Sequence, residues 1–479
     1  MPLSSIAPQN VWKNFSKLNA VPRASKKEEA VIAFMVSFGE QLALETYVDS
    51  VGNVIIKKPA TPGFENRKTV VLQSHLDMVH QKNNDTEFDF ETQGIEMFVD
   101  GDWVKAKGTT LGADNGLGVA AIMSILESTD IPHPPLEALF TIDEETGMTG
   151  AFGLVGNLLT GDILLNLDTE EDNEIGVGCA GGIDVTASKP YEPLKNTYSK
   201  AFRLTVKGLK GGHSGMDIHL GLGNANKLMN RILFALATDC AVARIDGGGL
   251  RNAIPRESNA IIVPKNANLT KKFKAIRDLI LAEYATLEPS LDIALVACDV
   301  PETIMADPDL KMLIRTVYAL PNGVFRMSPD IEGLVETSNN VARIVVDKGQ
   351  ITCMCLTRSS IDSGKDNLTN QLNSVFKLGG FTTKLSGSYP GWKPNPASPI
   401  LKVLQNTYTK LFNEEANVLA CHAGLECGIL GQNYPAMDMI SFGPTIKGAH
   451  SPDERASISS TQKFWKFLQE ILANIPEKA

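Results

Sequence analysis

The chain has 479 residues, 43% of them hydrophobic and 21% charged, and a net charge of −10. That length exceeds what one ordinary core supports, so two or three domains are expected. The acidic balance, with no basic block, argues against nucleic acid and anionic membrane as partners, and no apolar run nears the ~18 residues of a spanning helix.

The first stretch, "MPLSSIAPQNVWKNFSKLNA", lacks the basic start and apolar centre of a secretory signal. "SKKEEAVIAFMVSFGEQL" predicts a helix opened by a capping box from Ser25 to Glu28, with Val31, Phe34, Met35 and Phe38 on one face. "KTVVLQSHLDMV" reads as a buried strand running into polar residues. "NGLGVAAIMSILES" carries Val119, Ile122, Met123 and Leu126 at helical spacing. "LEALFTI" and "DILLNL" are further apolar strands. This is the rhythm of an α/β sheet with helices on both faces.

From 186 to 390 the rhythm becomes strand, helix, two strands, helix, strand, and it is expected twice. The first copy runs from "AFRLTVKGL" to "LDIALVAC", the second from "LKMLIRTVYAL" to "FTTKLSGSY". The segment "SYPGWKPNPASP" is a Pro/Gly-rich linker. After it "ILKVLQNTYTKLF", "NVLACHAG", "MDMISFGP" and "STQKFWKFLQEILANI" restore the α/β rhythm. The predicted architecture is therefore a discontinuous α/β domain, 1–185 with 391–479. An α+β domain of two ferredoxin-like halves, 186–390, is inserted into it. The seven scattered cysteines are an odd set, which favours reduced thiols and a cytoplasmic location.

The stretch "TIDEETGMTG" places Asp143, Glu144 and Glu145 side by side at the end of an apolar strand. Like charges repel there, so a positive partner or a held proton is required. Other polar clusters also follow strands or sit in Gly-rich loops: His75 and Asp77 in "SHLDMV", Asp114 in "LGADNGLG", Asp168 in "LNLDTEED" and His450 in "GPTIKGAHSPDE". A parallel sheet gathers such ends on one edge. Taken singly, an Asp after a strand is usually a helix cap and a loop His a surface residue. Taken together, imidazoles and carboxylates suit Zn²⁺, Mn²⁺ or Co²⁺ better than Ca²⁺, and so many carboxylates call for two ions with one carboxylate bridging them. Spacing alone does not separate the roles of Glu144 and Glu145.

"SHLDMV", "LGADNGLGVA", "TIDEETGMTGA", "LNLDTEE", "GGHSG" and "GPTIKGAHSPDE" together resemble the di-zinc exopeptidase family that includes peptidase T, carboxypeptidase G and the carnosinases. "VPRASKKEEA", "CHAGLECGIL" and "GLRNAIPRES" resemble its dipeptidase branch. The resemblance runs in order along nearly the whole chain. It implies a catalytic α/β domain with an inserted lid, two Zn²⁺ per chain with Co²⁺ or Mn²⁺ able to substitute, and hydrolysis of dipeptides, Xaa-His dipeptides among them. By position, His75 and Asp168 would hold one ion, Glu145 and His450 the other, and Asp114 would bridge both beside a cis peptide to Asn115. Asp77 would orient His75, and Glu144 would be the general base. His213 in "GGHSG" would donate to the oxyanion, in its own or a partner subunit's site, with a homodimer formed through the lid. Arg358 in "CLTRSS" would clamp the substrate carboxylate.

Three weaker candidates complete the set. His219 is a further substrate contact, Asn252 is either that or a turn asparagine, and Glu426 in "CHAGLECG" would meet the substrate amino group. Cys421, His422 and Cys427 could suggest a separate zinc site, but no fourth ligand is evident and the cysteines read as packed thiols. Cys353 and Cys355 read as core, His80 and His133 as surface. The alternatives are a tripeptidase or amino-acid deacylase of the same family, or a non-catalytic metal- or ligand-binding protein. Retention of Glu144 speaks against the last, because a pure binder needs no unligated base.

Overall fold

In the computed structural model, which describes residues 3–478, Val70–His75 lies near the middle of an eight-stranded sheet. The strand order is Glu45–Val48, Val54–Lys58, Leu136–Thr141, Val70–His75, Ile163–Asn166, Asp438–Ser441, Glu174–Cys179, Asn417–Cys421. Its centre is parallel: Val70–His75 pairs with Leu136–Thr141 and Ile163–Asn166, and the latter with Asp438–Ser441. Every residue of the three strands Val70–His75, Leu136–Thr141 and Ile163–Asn166 is buried. That is why these strands read as near-continuous apolar runs and not as alternating ones: both faces are covered. Helix Ala113–Glu127 is buried over nearly its whole surface, as its all-round apolar sequence requires. No helix among the described residues is long and apolar enough to cross a membrane.

The chain divides into two compact units. The first takes the chain up to Gly178, Pro394–Ala420 and Leu425 onward; the second takes Cys179–Lys393 with Cys421–Gly424. The second unit is built on a nine-stranded antiparallel sheet, and its topology resolves the repeat. Strands Ala201–Lys207, Cys240–Gly248, Ser258–Pro264 and Asp292–Cys298, with helices Ala225–Leu236 and Leu269–Tyr284, form one ferredoxin-like half. The other half consists of Gly181–Pro190, helix Asp307–Ala319, strands Val335–Asp347 and Gln350–Ser359, helix Asp362–Leu378 and strand Thr382–Tyr389. Its first strand, Gly181–Pro190, precedes the whole of the first half. The first half is thus nested inside the second, which is why the sequence pattern of the second copy has no opening strand. Cys353 and Cys355 are fully buried on Gln350–Ser359.

Two local expectations need correction. The capping box at Ser25 and Glu28 does not form, and the helix Glu29–Gln41 has no side-chain cap. Ser25 Oγ instead donates to Asp77 Oδ2 at 2.8 Å, and Glu28 Oε1 accepts the backbone N–H groups of Lys26 and Asp143 at 2.8 and 3.1 Å. The cap residues serve the strand-end loops because those loops carry buried charge. His133 is not a surface residue: it is fully buried, with Nδ1 donating to the Pro134 carbonyl at 2.8 Å. A ring with that local partner can be buried without a charge. His80 is exposed.

Candidate active site

The parallel strands of the first unit deliver their carboxyl ends to one edge. His75 is the last residue of Val70–His75 and is buried. Ile142–Glu145 follows Leu136–Thr141, and Asp168 follows Ile163–Asn166. Asp114 lies at the start of helix Ala113–Glu127, and its peptide bond to Asn115 is cis.

Asp114 sits between two imidazoles. Its Oδ1 is 3.2 Å from His75 Nε2 and its Oδ2 is 3.2 Å from His450 Nε2. His75 Nε2 is also 3.6 Å from Asp168 Oδ1, and His450 Nε2 is 3.0 Å from Glu145 Oε2. Each side of Asp114 therefore carries one imidazole and one terminal carboxylate. Ligand-type atoms of His75, Asp114 and Glu145 all lie within 4.8 Å of one another. Glu145 Oε1 is buried and without a hydrogen-bond partner. An orphan carboxylate oxygen amid N and O donors is what a divalent-cation site presents before the cation is counted.

Asp77 supports this cluster from behind. It is fully buried and 3.4 Å from His75 Nδ1, and it accepts the N–H groups of Glu144 and Glu145 at 3.0 and 3.3 Å. The third acid of the row turns away: Asp143 adopts φ 53°, a left-handed conformation that Asp tolerates better than most residues. Its carboxylate accepts from Thr149 Oγ1 at 2.8 Å and Lys26 Nζ at 3.0 Å, and also from Thr146 Oγ1. Glu144 and Glu145 are left to face the cluster.

The electrostatics follow from burial and crowding. Burial, then the neighbouring Asp168, Glu426 and Glu145 carboxylates, holds Glu144 well above the usual carboxylate range. Burial also raises Asp168, with Asp114 and Glu426 adding to it. Hydrogen bonds that His450 donates to the Asp114 and Glu145 carboxylates lift its pKa to about 11. Glu144 and Asp168, held back from ionising by burial and by neighbouring carboxylates, are acids that a cation would relieve.

Glu426 lies beneath the strand ends, fully buried. Its Oε2 accepts from Gln73 Nε2 and Thr141 Oγ1, both at 2.6 Å, its Oε1 has no partner, and burial raises its pKa to about 7.

Four candidates fall in the second unit. His213 Nδ1 accepts the N–H groups of Gly215 and Met216 at 3.3 and 3.0 Å, which places the ring proton on Nε2. Burial and the Arg358 charge push its pKa down to about 4, so the ring is neutral at pH 7. Its Nε2 is 3.5 Å from Arg358 Nη2. Arg358 is itself buried, with Nη1 donating to Tyr389 Oη at 2.9 Å and Nε unpartnered. A neutral imidazole N–H and a guanidinium 3.5 Å apart are both donors, a pairing that suits an anionic oxygen. His219 is exposed on the turn Ile218–Leu220, and Asn252 is exposed, its carbonyl accepting the Ser214 N–H at 2.7 Å.

The quoted motifs assign no site role to Tyr389, His422, Arg23 or Glu454. Tyr389 orients Arg358. His422 is buried with Nε2 at 2.7 Å from Ser338 Oγ, and burial, then Arg358 and His213, lowers it to about 3. Arg23 and Glu454 lie buried behind the Asp114 loop. A buried Arg or Glu is a rare event that demands partners, but a sequence does not declare which of its charges are buried.

Residues 71–474 match the sequence profile of peptidase family M20/M25/M40. Over 482 aligned positions the chain is 47% identical to the cytosol non-specific dipeptidase of Escherichia coli (strain K12), with 99% of each chain covered. The crystal structure of aminoacylhistidine dipeptidase from Vibrio alginolyticus superposes with a TM-score of 0.92 at 45% identity, covering 100% of this chain and 99% of that one. Aminopeptidase PepT from Bacillus cereus ATCC 10987 shares the fold, with a TM-score of 0.57 at 15% identity and coverage of 98% and 99%. The architecture is thus a peptidase architecture of mixed α/β class. The chain belongs to peptidase family M20/M25/M40.

Proposed function

We propose that this protein is a cytoplasmic metallo-dipeptidase that hydrolyses dipeptides with a free amino and a free carboxyl end, Xaa-His dipeptides among them. The reading is supported by the naming of relatives that align over the full chain at 45–47% identity. The observation that carries it is Asp114, whose two oxygens each face an imidazole at 3.2 Å. His75 and Asp168 would hold one ion, His450 and Glu145 the other, with Asp114 shared; the N and O donors fit Zn²⁺, Co²⁺ or Mn²⁺. When bound, such a pair lowers the pKa of water and polarises the scissile carbonyl.

The protein's own residues do the rest. Glu144 accepts the proton of the attacking water and passes it to the leaving amine. Asp77 holds the His75 ring and the Glu144 backbone in place through the contacts above. His213, neutral with its proton on Nε2, donates to the developing oxyanion. Arg358 receives the substrate's C-terminal carboxylate. Glu426, His219 and Asn252 complete the substrate contacts. A homodimer through the second unit is part of the reading. Strand Gly323–Met327, with Val324, Phe325 and Met327 exposed, is the kind of apolar edge that a partner covers.

Hydrolysis of a dipeptide panel by purified protein, with and without a chelator, tests the proposal. Cleavage abolished by chelation and restored by Zn²⁺, Co²⁺ or Mn²⁺ is expected. Metal binding without turnover would favour the non-catalytic reading.

A further inference from the structure

We infer that Glu454 is a positioning residue that sets the place of Asp114 by holding four consecutive backbone amides. Its Oε2 accepts the N–H groups of Leu111 and Gly112 at 2.7 and 2.9 Å. Its Oε1 accepts those of Ala113 and Asp114 at 2.7 and 3.2 Å. The side chain is 2% exposed. N–H groups at a helix start have no partner within the helix, and here a single carboxylate supplied from 340 residues away gathers them.

The same segment is held from its carbonyl side. Arg23 Nη2 donates to the Gly112 carbonyl at 2.5 Å, and Asn19 Nδ2 to the Leu111 carbonyl at 2.8 Å. Arg23 Nη1 donates to the carbonyls of Leu76 and Asp77 at 3.0 and 3.1 Å. One buried guanidinium therefore ties the Asp114 loop to the loop that follows His75. Gly112 has φ 69°, and a Cβ there would run into that guanidinium, so the close approach needs glycine. Glu454 is four residues beyond His450, whose ring faces Asp114 Oδ2. The short 450–454 segment thus carries both an imidazole on one side of Asp114 and the anchor of its backbone. Shifting Glu454 would move the Asp114 oxygens relative to both imidazoles.

The inference rests on reading His75, Asp114 and His450 as metal ligands, and its test separates the two. Zn²⁺ and Co²⁺ affinities are measured by chelator competition on wild type, Glu454→Gln, Glu454→Asp and Glu137→Gln, with the Co²⁺ absorption spectrum, kcat and KM recorded alongside. Glu137 is the matched control: a 3% exposed carboxylate that accepts the Thr160 and Gly161 N–H groups at 2.8 and 3.0 Å, at the opposite end of strand Leu136–Thr141. Glu454→Gln keeps the shape but turns an amide donor toward backbone donors. It is expected to lose roughly 10–100-fold in metal affinity and kcat, with a changed Co²⁺ spectrum and a smaller change in KM. Glu454→Asp should fall between it and wild type, and it serves as the reporter if the Gln variant does not fold. Glu137→Gln should lose thermal stability with its metal affinity and spectrum unaltered. Wild-type metal affinity and spectrum in a folded Glu454 variant, or an equal loss in Glu137→Gln, would overturn the positioning role while leaving the metal site standing. A wild type that binds no metal would overturn both.

Discussion

The Asp77 carboxylate accepts the backbone N–H of Glu144 at 3.0 Å. The residue that steadies the His75 imidazole therefore also fixes the backbone of the proposed base, so ligand and base are set by one group. Asp77→Asn cannot serve the imidazole and two amides with acceptors alone. We expect a loss of about 10–100-fold in metal affinity or kcat, read by chelator competition and steady-state kinetics. Wild-type values for both would mean that the contact carries no function.

Glu144 and Glu145 are neighbours with different expected phenotypes. Glu144→Gln should reduce kcat by about 10²–10⁴-fold, the usual worth of a general base, with metal content unchanged. Glu145→Gln should instead lose affinity for one ion, because Glu145 Oε2 lies 3.0 Å from His450 Nε2. Elemental analysis beside kinetics checks the pair, and near-normal turnover in Glu144→Gln would contradict the assignment.

Arg358 is buried with Nε unpartnered, so a carboxylate there would form a charge-assisted hydrogen bond, worth ~1.5–3 kcal/mol. Arg358→Ala is expected to lower kcat/KM for dipeptides by roughly 10–100-fold and to narrow their advantage over the matching C-terminal amides. In the wild type, matched tripeptides should be poor substrates. Equal kcat/KM for di- and tripeptides would favour a tripeptidase.

His422 gives the second unit a pH signature. Burial holds its folded pKa at about 3 against 6.5 for a free imidazole. Between these values the unfolded chain binds a proton that the folded chain refuses. Stability is full above pH ~6.5 and falls as the pH drops toward 3, by up to ~1.4 kcal/mol per pH unit for this one proton. Urea unfolding of metal-free protein from pH 4.5 to 7.5 should show a shallower slope in His422→Gln than in wild type. Identical slopes would show that His422 does not titrate in this way.

The parts legible in the sequence were those with a local signature. Buried parallel strands announce themselves as apolar runs ending in acids or His, so His75, Glu144, Glu145 and Asp168 stand out at strand ends before any geometry is known. What the sequence hides is partnership across long separations. Ser25 and Glu28 have the spacing of a capping box, but Asp77 and the Asp143 amide compete for their oxygens and win, because an unmet buried group costs more than a missing cap. The expected break at 185/186 falls inside Gly181–Pro190, which is the opening strand of the half that encloses the other. Glu454 ends the motif "GPTIKGAHSPDE", where only His450 is singled out, and its four amide partners set it apart.

The central claim is most directly tested by titrating metal-free protein with Zn²⁺ while following hydrolysis of an Xaa-His dipeptide. The account predicts no turnover without metal and full activity at two equivalents per chain, the number required by Asp114 shared between two imidazole–carboxylate sets. Full activity at one equivalent or fewer, or turnover that persists without metal, would contradict it.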